Sequence, residues 1–195
     1  MTDPAAASSP ATPSDFEGRL RAARRRFLWV VLTWIPLAWF DGPLRTEVAP
    51  FGIVSFELAA TAERAASIMA SWNAEARDAA WGSLVVDYAF MLAYGAWLAA
   101  WVRLSGETLG RMSALVGRVA RGLAVGMWVA AGLDAVENAA LFVVLDAGVD
   151  GTPIGPGWIA VASAAASLKF LLVVMGLFFG TSAAFARWTG AVREQ

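Results

Sequence analysis

Residues 123–145, with the sequence LAVGMWVAAGLDAVENAALFVVL, are the part of the chain that most clearly indicates the fold. Its only ionisable side chains are Asp134 and Glu137, and as a helix it is long enough to cross the roughly 30 Å of a bilayer's hydrocarbon core. Asp134, Glu137 and Asn138 are spaced i, i+3 and i+4, so a helix places them on one face. The stretch predicts a membrane-spanning helix with a polar face.

Three further apolar runs are candidates for membrane spans: residues 24–40, 84–104 and 158–181. The first is short, but it follows a run of arginines whose aliphatic stems can lengthen a span, and Pro36 is expected to kink it. The other two are each near 20 residues long, the length that a spanning helix needs. The pattern predicts an all-α, four-helix transmembrane bundle over residues 19–188.

The two ends of the chain are predicted to be tails. Residues 1–18 are rich in Ala, Ser, Pro and Thr and predict a disordered segment, and residues 189–195 form a short second tail. Arg24, Arg25 and Phe27 resemble part of a twin-arginine export signal. No Ala-x-Ala cleavage site follows them, which favours a span that stays in the protein.

Composition narrows the function classes. The chain is 58% hydrophobic and only 16% charged, whereas soluble domains average roughly 25% charged residues. It has no cysteine and no histidine, which excludes disulfides, thiolate nucleophiles and the usual zinc sites, and we predict no metal site. The arginines lie in short groups at the ends of apolar runs, so nucleic acid is not an expected partner.

The arginines also predict the orientation. The segment 103–121 carries four of them, whereas the short loop around Asp146 and Asp150 carries none. Because positively charged loops stay in the cytoplasm, both termini are expected there, in the inner membrane of a bacterium. The loop between the first and second spans would then face outward.

That outer loop contains its own helical pattern over residues 53–73. Glu57 falls largely on the opposite face from the apolar residues. The pattern predicts one amphipathic helix outside the bundle, and we favour a helix lying on the membrane surface over a lid above a cavity. The apolar positions are Val54, Leu58, Ala62, Ala65, Met69 and Trp72.

Ionisable residues inside the spans are the main indication of a functional site, because a charge in hydrocarbon is costly unless it is paired or hydrated. Asp134 and Lys169 each lie eleven residues from the outer end of their spans, a depth of roughly 16 Å, so they can meet. Glu137 and Asp87 are shallower, and the acids predict a path from the outer surface to the lysine. Lys169 is the only lysine in the chain.

Two interpretations of these residues remain open. A bridge from Lys169 to Asp134 or Glu137 could serve only to fix helix packing. Two acids facing one lysine, however, leave a carboxylate that must be protonated or bind a cation or a cationic ligand. The candidate site residues are Glu57, Asp87, Tyr88, Tyr94, Asp134, Glu137, Asn138 and Lys169.

Three hypotheses for function follow. The first is a cavity that binds a small polar or lipidic ligand or passes protons. The second is a membrane enzyme acting on a lipid, with Lys169 as base or amine nucleophile, including a retinal-type Schiff base with Asp134 as counter-ion. The third is a structural subunit that docks on itself or on a membrane-protein partner. Membrane lipid is an expected partner in each case, and the sequence assigns no cofactor.

Several short strings resemble a group of bacterial four-span integral membrane proteins that has no known activity. The resemblance covers most of the chain after Arg26. It implies that the polar positions belong together as a set, and it implies no reaction. The strings are Glu57-Leu58-Ala59, Asp87-Tyr88, Leu133-Asp134 with Glu137-Asn138, and Leu168-Lys169-Phe170.

Overall fold

The chain is helical throughout most of residues 13–110 and 113–189, which the computed structural model describes. Four helices, α1, α4, α5 and α6, are long and apolar enough to cross a membrane, which confirms the predicted all-α fold with four membrane-spanning helices. The described helices are α1 (Pro13–Leu44), α2 (Ile53–Glu57), α3 (Ala62–Ser71), α4 (Ala74–Leu109), α5 (Ala114–Val149) and α6 (Pro156–Trp188).

The long helices extend beyond the spans that hydropathy predicts. Helix α1 begins at Pro13, inside the segment predicted as a disordered tail over residues 1–18, so the structure corrects that boundary. Proline suits the first turn of a helix, and Asp15 in that turn complements the helix dipole. The rest of the predicted tails, residues 1–12 and 190–195, lies outside the described residues.

The four long helices are arranged in the order α1, α4, α5, α6. Helix α4 packs on both α1 and α5 and also touches α6, whereas α1 and α6 barely meet. Buried side chains form one core under the α2–α3 end, which includes Leu84 and Leu141, and a second core toward the other end, which includes Leu98 and Met127. We call these the upper core and the lower core.

The outward faces of the long helices are apolar. Leu92, Val125 and Phe178 are 60%, 58% and 74% exposed, and similar residues cover the rest of these faces. A surface of this kind is stable against lipid and would aggregate in water. The protein is therefore a multi-pass membrane protein.

The segment between α1 and α4 differs from its prediction. The single amphipathic helix expected over residues 53–73 is two short helices, separated by residues 58–61. Ala60 has a φ of 62°, a left-handed conformation that interrupts a helix. The Thr61 hydroxyl then accepts a hydrogen bond from the Arg64 N–H and caps the start of α3. The prediction of one continuous helix is wrong.

We call α2, α3 and the residues joining them the cap, because they cover one end of the bundle. Ala65 and Ile68 are fully buried against the bundle, and so is almost all of Trp72. The Trp72 indole Nε1 donates a hydrogen bond of 2.9 Å to the Leu44 carbonyl at the end of α1. The apolar face of the cap therefore packs on protein, which does not agree with the expected helix on the membrane surface.

Close packing of α6 depends on two glycines. A Cβ atom at Gly176 would overlap Met127 of α5, and one at Gly180 would lie 2.8 Å from the ring of Trp101 on α4. Gly122 on α5, by contrast, has open space where its Cβ would be. Small residues at such positions let membrane helices approach each other closely.

These glycines give a matched test of the packing. Gly180→Ala should lower the free energy of unfolding by about 1–3 kcal/mol, because the Trp101 ring has to move. Gly122→Ala should be neutral or stabilising by up to about 1 kcal/mol, because alanine favours helix and meets nothing. Unfolding of both variants in mixed detergent micelles measures the difference. Equal stability of the two variants would contradict this packing of α6.

Candidate functional site

The centre of the candidate site is Lys169, in the middle of α6. Its Nζ atom lies 2.7 Å from Asp134 Oδ1, 2.7 Å from Glu137 Oε2 and 3.6 Å from Glu57 Oε2. Asp134 and Glu137 lie one turn apart on α5, and Glu57 is the last residue of α2. All four residues are buried, which confirms a buried cluster of one lysine and several acids. We call these four residues the charge cluster.

Two residues of α4 extend the cluster by hydrogen bonds. The Tyr94 hydroxyl donates to Asp134 Oδ2 at 2.8 Å. The Asn138 amide Nδ2 donates to Asp87 Oδ2, also at 2.8 Å. Asp87 therefore joins the cluster through Asn138, and within the described residues it has no direct ion pair with Lys169.

Glu57 reaches the cluster because the cap is broken. The Ser163 hydroxyl on α6 donates to the Glu57 carbonyl and accepts from the Ala60 N–H, both at 3.0 Å. This serine thereby ties the end of α2 and the left-handed residue to α6, six residues before Lys169. Sequence reasoning missed the role of Ser163, because a serine among small residues indicates only helix packing.

The cluster has more acids than one lysine can neutralise. Glu57, Asp87, Asp134 and Glu137 face a single cation, so three negative charges would remain if all four acids were ionised. The Lys169 ammonium lies within hydrogen-bond distance of Glu137 Oε2, at 2.7 Å, whereas Glu137 Oε1 is buried without a hydrogen-bond donor among the described residues. In a membrane such a surplus requires protons or a bound cation.

A cavity of about 630 Å³ lies beside the cluster. This volume is within the range of small-molecule sites, roughly 300–1,000 Å³. Most of its wall is apolar, and aromatic rings make up much of that wall. Its polar lining residues are Asp41, Arg45, Glu57, Ser83, Asp87, Tyr94, Asp134, Asn138 and Lys169. Its aromatic side is lined by Trp34, Phe51, Phe90, Trp97 and Phe170.

The cavity is elongated and has a polar and an apolar end. On α4 its lining runs from Ser83 to Leu98, fifteen residues or about 22 Å along the helix. The acids lie under the cap and at mid-depth. The far end, near Val30, Val173 and Leu177, is apolar. The shape and the polarity match an amphiphile with its head group at the cap.

The cavity has a side opening. Residues of both α1 and α6 line it, and these two helices barely touch. Trp34 of α1 lines the cavity and is still 55% exposed, so the gap reaches the outer surface of the bundle. At the cap end the rim is held by Arg45, whose Nε donates to Asp41 Oδ2 at 2.8 Å. The opening therefore faces lipid.

The structure brings together most of the predicted site residues. Glu137 belongs to the charge cluster but is fully buried behind the cavity lining. Tyr88 alone of the predicted residues lies apart, on the outward face, with its hydroxyl 3.4 Å from the Ala135 carbonyl. The predicted path of acids is instead a compact cluster with Asp87 at its edge. The six predicted residues that line the cavity are Glu57, Asp87, Tyr94, Asp134, Asn138 and Lys169.

No family model, no curated protein and no solved structure matches the chain. The resemblance to bacterial four-span membrane proteins therefore stays a prediction.

Removing the lysine tests how far the cluster holds the bundle together. Lys169→Met should lower the free energy of unfolding by about 3–5 kcal/mol, because buried acids lose their cation. The control is a triple variant that combines Lys169→Met with Asp134→Asn and Glu137→Gln. It also removes two of the acids, so it should regain most of the lost free energy of unfolding. Unfolding in mixed micelles gives both values. If the Lys169→Met variant were as stable as the native chain, the result would contradict an ionised cluster.

Proposed function

We propose that the protein binds a cationic amphiphile, which enters from the membrane between α1 and α6 and places its charged head group beside Asp87 and the charge cluster. The observation that carries this proposal is the cavity itself, which is acidic at one end and apolar over the rest of its length. A bound lipid-like amine would neutralise one of the surplus acids and fill the apolar end with its tail.

Asp87 is the acid best placed to meet the head group. It lines the cavity and is only half-buried, and Asn138 contacts just one of its two oxygens. Lys169 is already engaged by Asp134 and Glu137 at 2.7 Å each. Asp87 therefore has a free carboxyl oxygen and no cation partner among the described residues.

The aromatic wall supports a cationic head group over a neutral one. Rings such as Phe90 and Trp97 line the same cavity as the acids, and the face of an aromatic ring attracts a cation. Lys169 shows the same preference, since its Nζ lies 4.8 Å from the centre of the Phe170 ring. No group of three or more acids among the described residues is arranged to hold a metal ion, so an organic cation fits the site better.

Proton translocation is supported less well. A proton path would need polar groups on both sides of the cluster. On the side away from the cap, the lower core fills the bundle with apolar side chains such as Leu98, Met127 and Ala131. The polar groups of the cluster therefore have no polar continuation on that side.

Catalysis by the lysine is also supported less well. An amine acts as a nucleophile or forms a Schiff base only through its uncharged form. Three carboxyl groups within 4 Å of Nζ instead favour the ammonium form. A purely structural role for the cluster would leave the cavity unexplained.

Binding of a simple probe tests the proposal. Dodecylamine added to the protein in nanodiscs should bind as one molecule per chain, and dodecanol, which has the same tail and no charge, should bind at least about 10-fold more weakly, a difference of about 1.4 kcal/mol. Asp87→Asn should weaken amine binding by a similar factor. Native mass spectrometry and calorimetry give the stoichiometry and the affinity.

Asp78→Asn is the matched control, because Asp78 lies on the same helix but is exposed and outside the cavity lining. It should bind the amine like the native chain. The proposal would be refuted if the native chain bound dodecylamine and dodecanol equally well. It would also be refuted if the Asp87→Asn variant bound dodecylamine as tightly as the native chain does.

We also propose that the protein lies in a bacterial inner membrane with both termini in the cytoplasm, so that the cap is outside. This orientation is supported by the arginines at the end opposite the cap, such as Arg103 and Arg118. The cavity would then receive its ligand in the outer half of the bilayer.

The absence of cysteine from the chain makes this orientation easy to test. A membrane-impermeant maleimide should label Thr152→Cys, in the α5–α6 loop, in intact spheroplasts. It should label Arg118→Cys, near the start of α5, only after the membrane is opened. The reverse pattern would place the cap in the cytoplasm.

A further inference from the structure

A second pocket, of about 440 Å³, lies at the end of the bundle away from the cap. It lies between α1 and α4, with Trp128 of α5 on its wall. Along α4 its Arg103 is sixteen residues, or about 24 Å, from Asp87, and its lining begins at Ala96, nine residues or about 14 Å from that acid. The pocket shares no lining residue with the cavity, so it is a separate site from the proposed amine site.

Helical spacing gathers its basic residues. Arg19 and Arg26 on α1 are spaced i and i+7, so they lie on the same face, which is the face that packs on α4. Helix α4 contributes Arg103 and Glu107, spaced i and i+4. Two neighbouring helices thus turn three guanidinium groups and one carboxylate toward the same pocket.

The charges in the pocket do not balance. Arg19 Nη2 is paired with Glu107 Oε2 at 3.0 Å. Arg26 and Arg103 form no ion pair within the part of the chain that the structure describes. The pocket therefore has two guanidinium groups available for an anion, and guanidinium binds phosphate oxygens in a two-pronged manner.

The floor and the wall of the pocket are apolar. Ala22, Ala96, Ala99 and Ala100 leave a shallow groove between the helices, and Trp128 is 46% exposed beside it. A tryptophan near the end of a membrane helix is typical of the level of the lipid head groups. A ligand here would place its charge on the arginines and its apolar part along the alanines.

We infer that this pocket binds the phosphodiester head group of an anionic phospholipid, with Arg26 and Arg103 as its ligands. Basic pockets between membrane helices are the usual sites for such head groups. A soluble phosphate would use the same arginines but would leave the alanine groove and Trp128 without a role. The bound lipid would fasten α1 to α4 at the end where α1 has no contact with the cap.

The experiment compares lipids carried by the purified protein. Native mass spectra from nanodiscs that contain equal amounts of phosphatidylglycerol and phosphatidylcholine should show one retained phosphatidylglycerol per chain. The double variant Arg26→Gln and Arg103→Gln should retain it about 30-fold less, the effect expected for two lost basic groups at a membrane surface. Arg118→Gln, exposed at the same end but outside the pocket, should retain it like the native chain.

Three results would overturn the inference: equal retention by the double variant, equal retention of the two lipids by the native chain, or equal loss in the Arg118→Gln control. Inorganic phosphate is the probe for a soluble anion. If inorganic phosphate at constant ionic strength displaced the lipid, the site would be a phosphate site and the assignment to lipid would fail. Circular dichroism checks that the double variant is folded. If it is unfolded, raised salt is applied to the native chain instead: release of the lipid would support binding through the arginines, and retention would contradict it.

Discussion

The contact of Lys169 with Asp134 and Glu137 is the constraint on which the rest of the structure depends. A charge in the middle of a membrane must meet an opposite charge, and here this requirement fixes the register of α6 against α5. The same lysine attracts Glu57, which the Ser163 hydrogen bond to its carbonyl holds near the cluster at the end of α2. Asp87 lies at the edge of the cluster and faces the cavity, and its hydrogen-bond partner is Asn138 rather than Lys169.

Helix α1 has a different role from the other three long helices. Among the described long helices it packs closely on α4 alone, and it lines the cavity and places Leu44 in the upper core. The space between α1 and α6 exists because nothing in the cluster holds these two helices together. The two polar sites of the molecule also have opposite signs, with acids near the cap and arginines at the far end. A membrane protein with this arrangement would bind cationic and anionic amphiphiles at different depths in the membrane.

The parts of the structure that follow from local rules could be predicted from the sequence. The depth of Asp134 and Lys169 follows from the constant rise of a helix, so their meeting was predictable. Tyr94 is seven residues from Asp87 and shares its face, whereas Tyr88 is one residue from it and points elsewhere, so helical spacing alone would have separated the two tyrosines. The break in the cap was not predictable, because it depends on hydrogen bonds from Ser163, more than a hundred residues away.

The position of Lys169 in the chain also bears on how the protein is made. Asp134 and Glu137 leave the ribosome with α5, before the lysine of α6 has been synthesised. During this interval the two acids have no cation from their own chain, so they must be protonated or held near the water-filled insertion channel. Entry of α6 then supplies the missing charge and releases α5 into the bilayer beside it. A chain truncated before α6 would leave both acids without the cation that they contact in the folded protein.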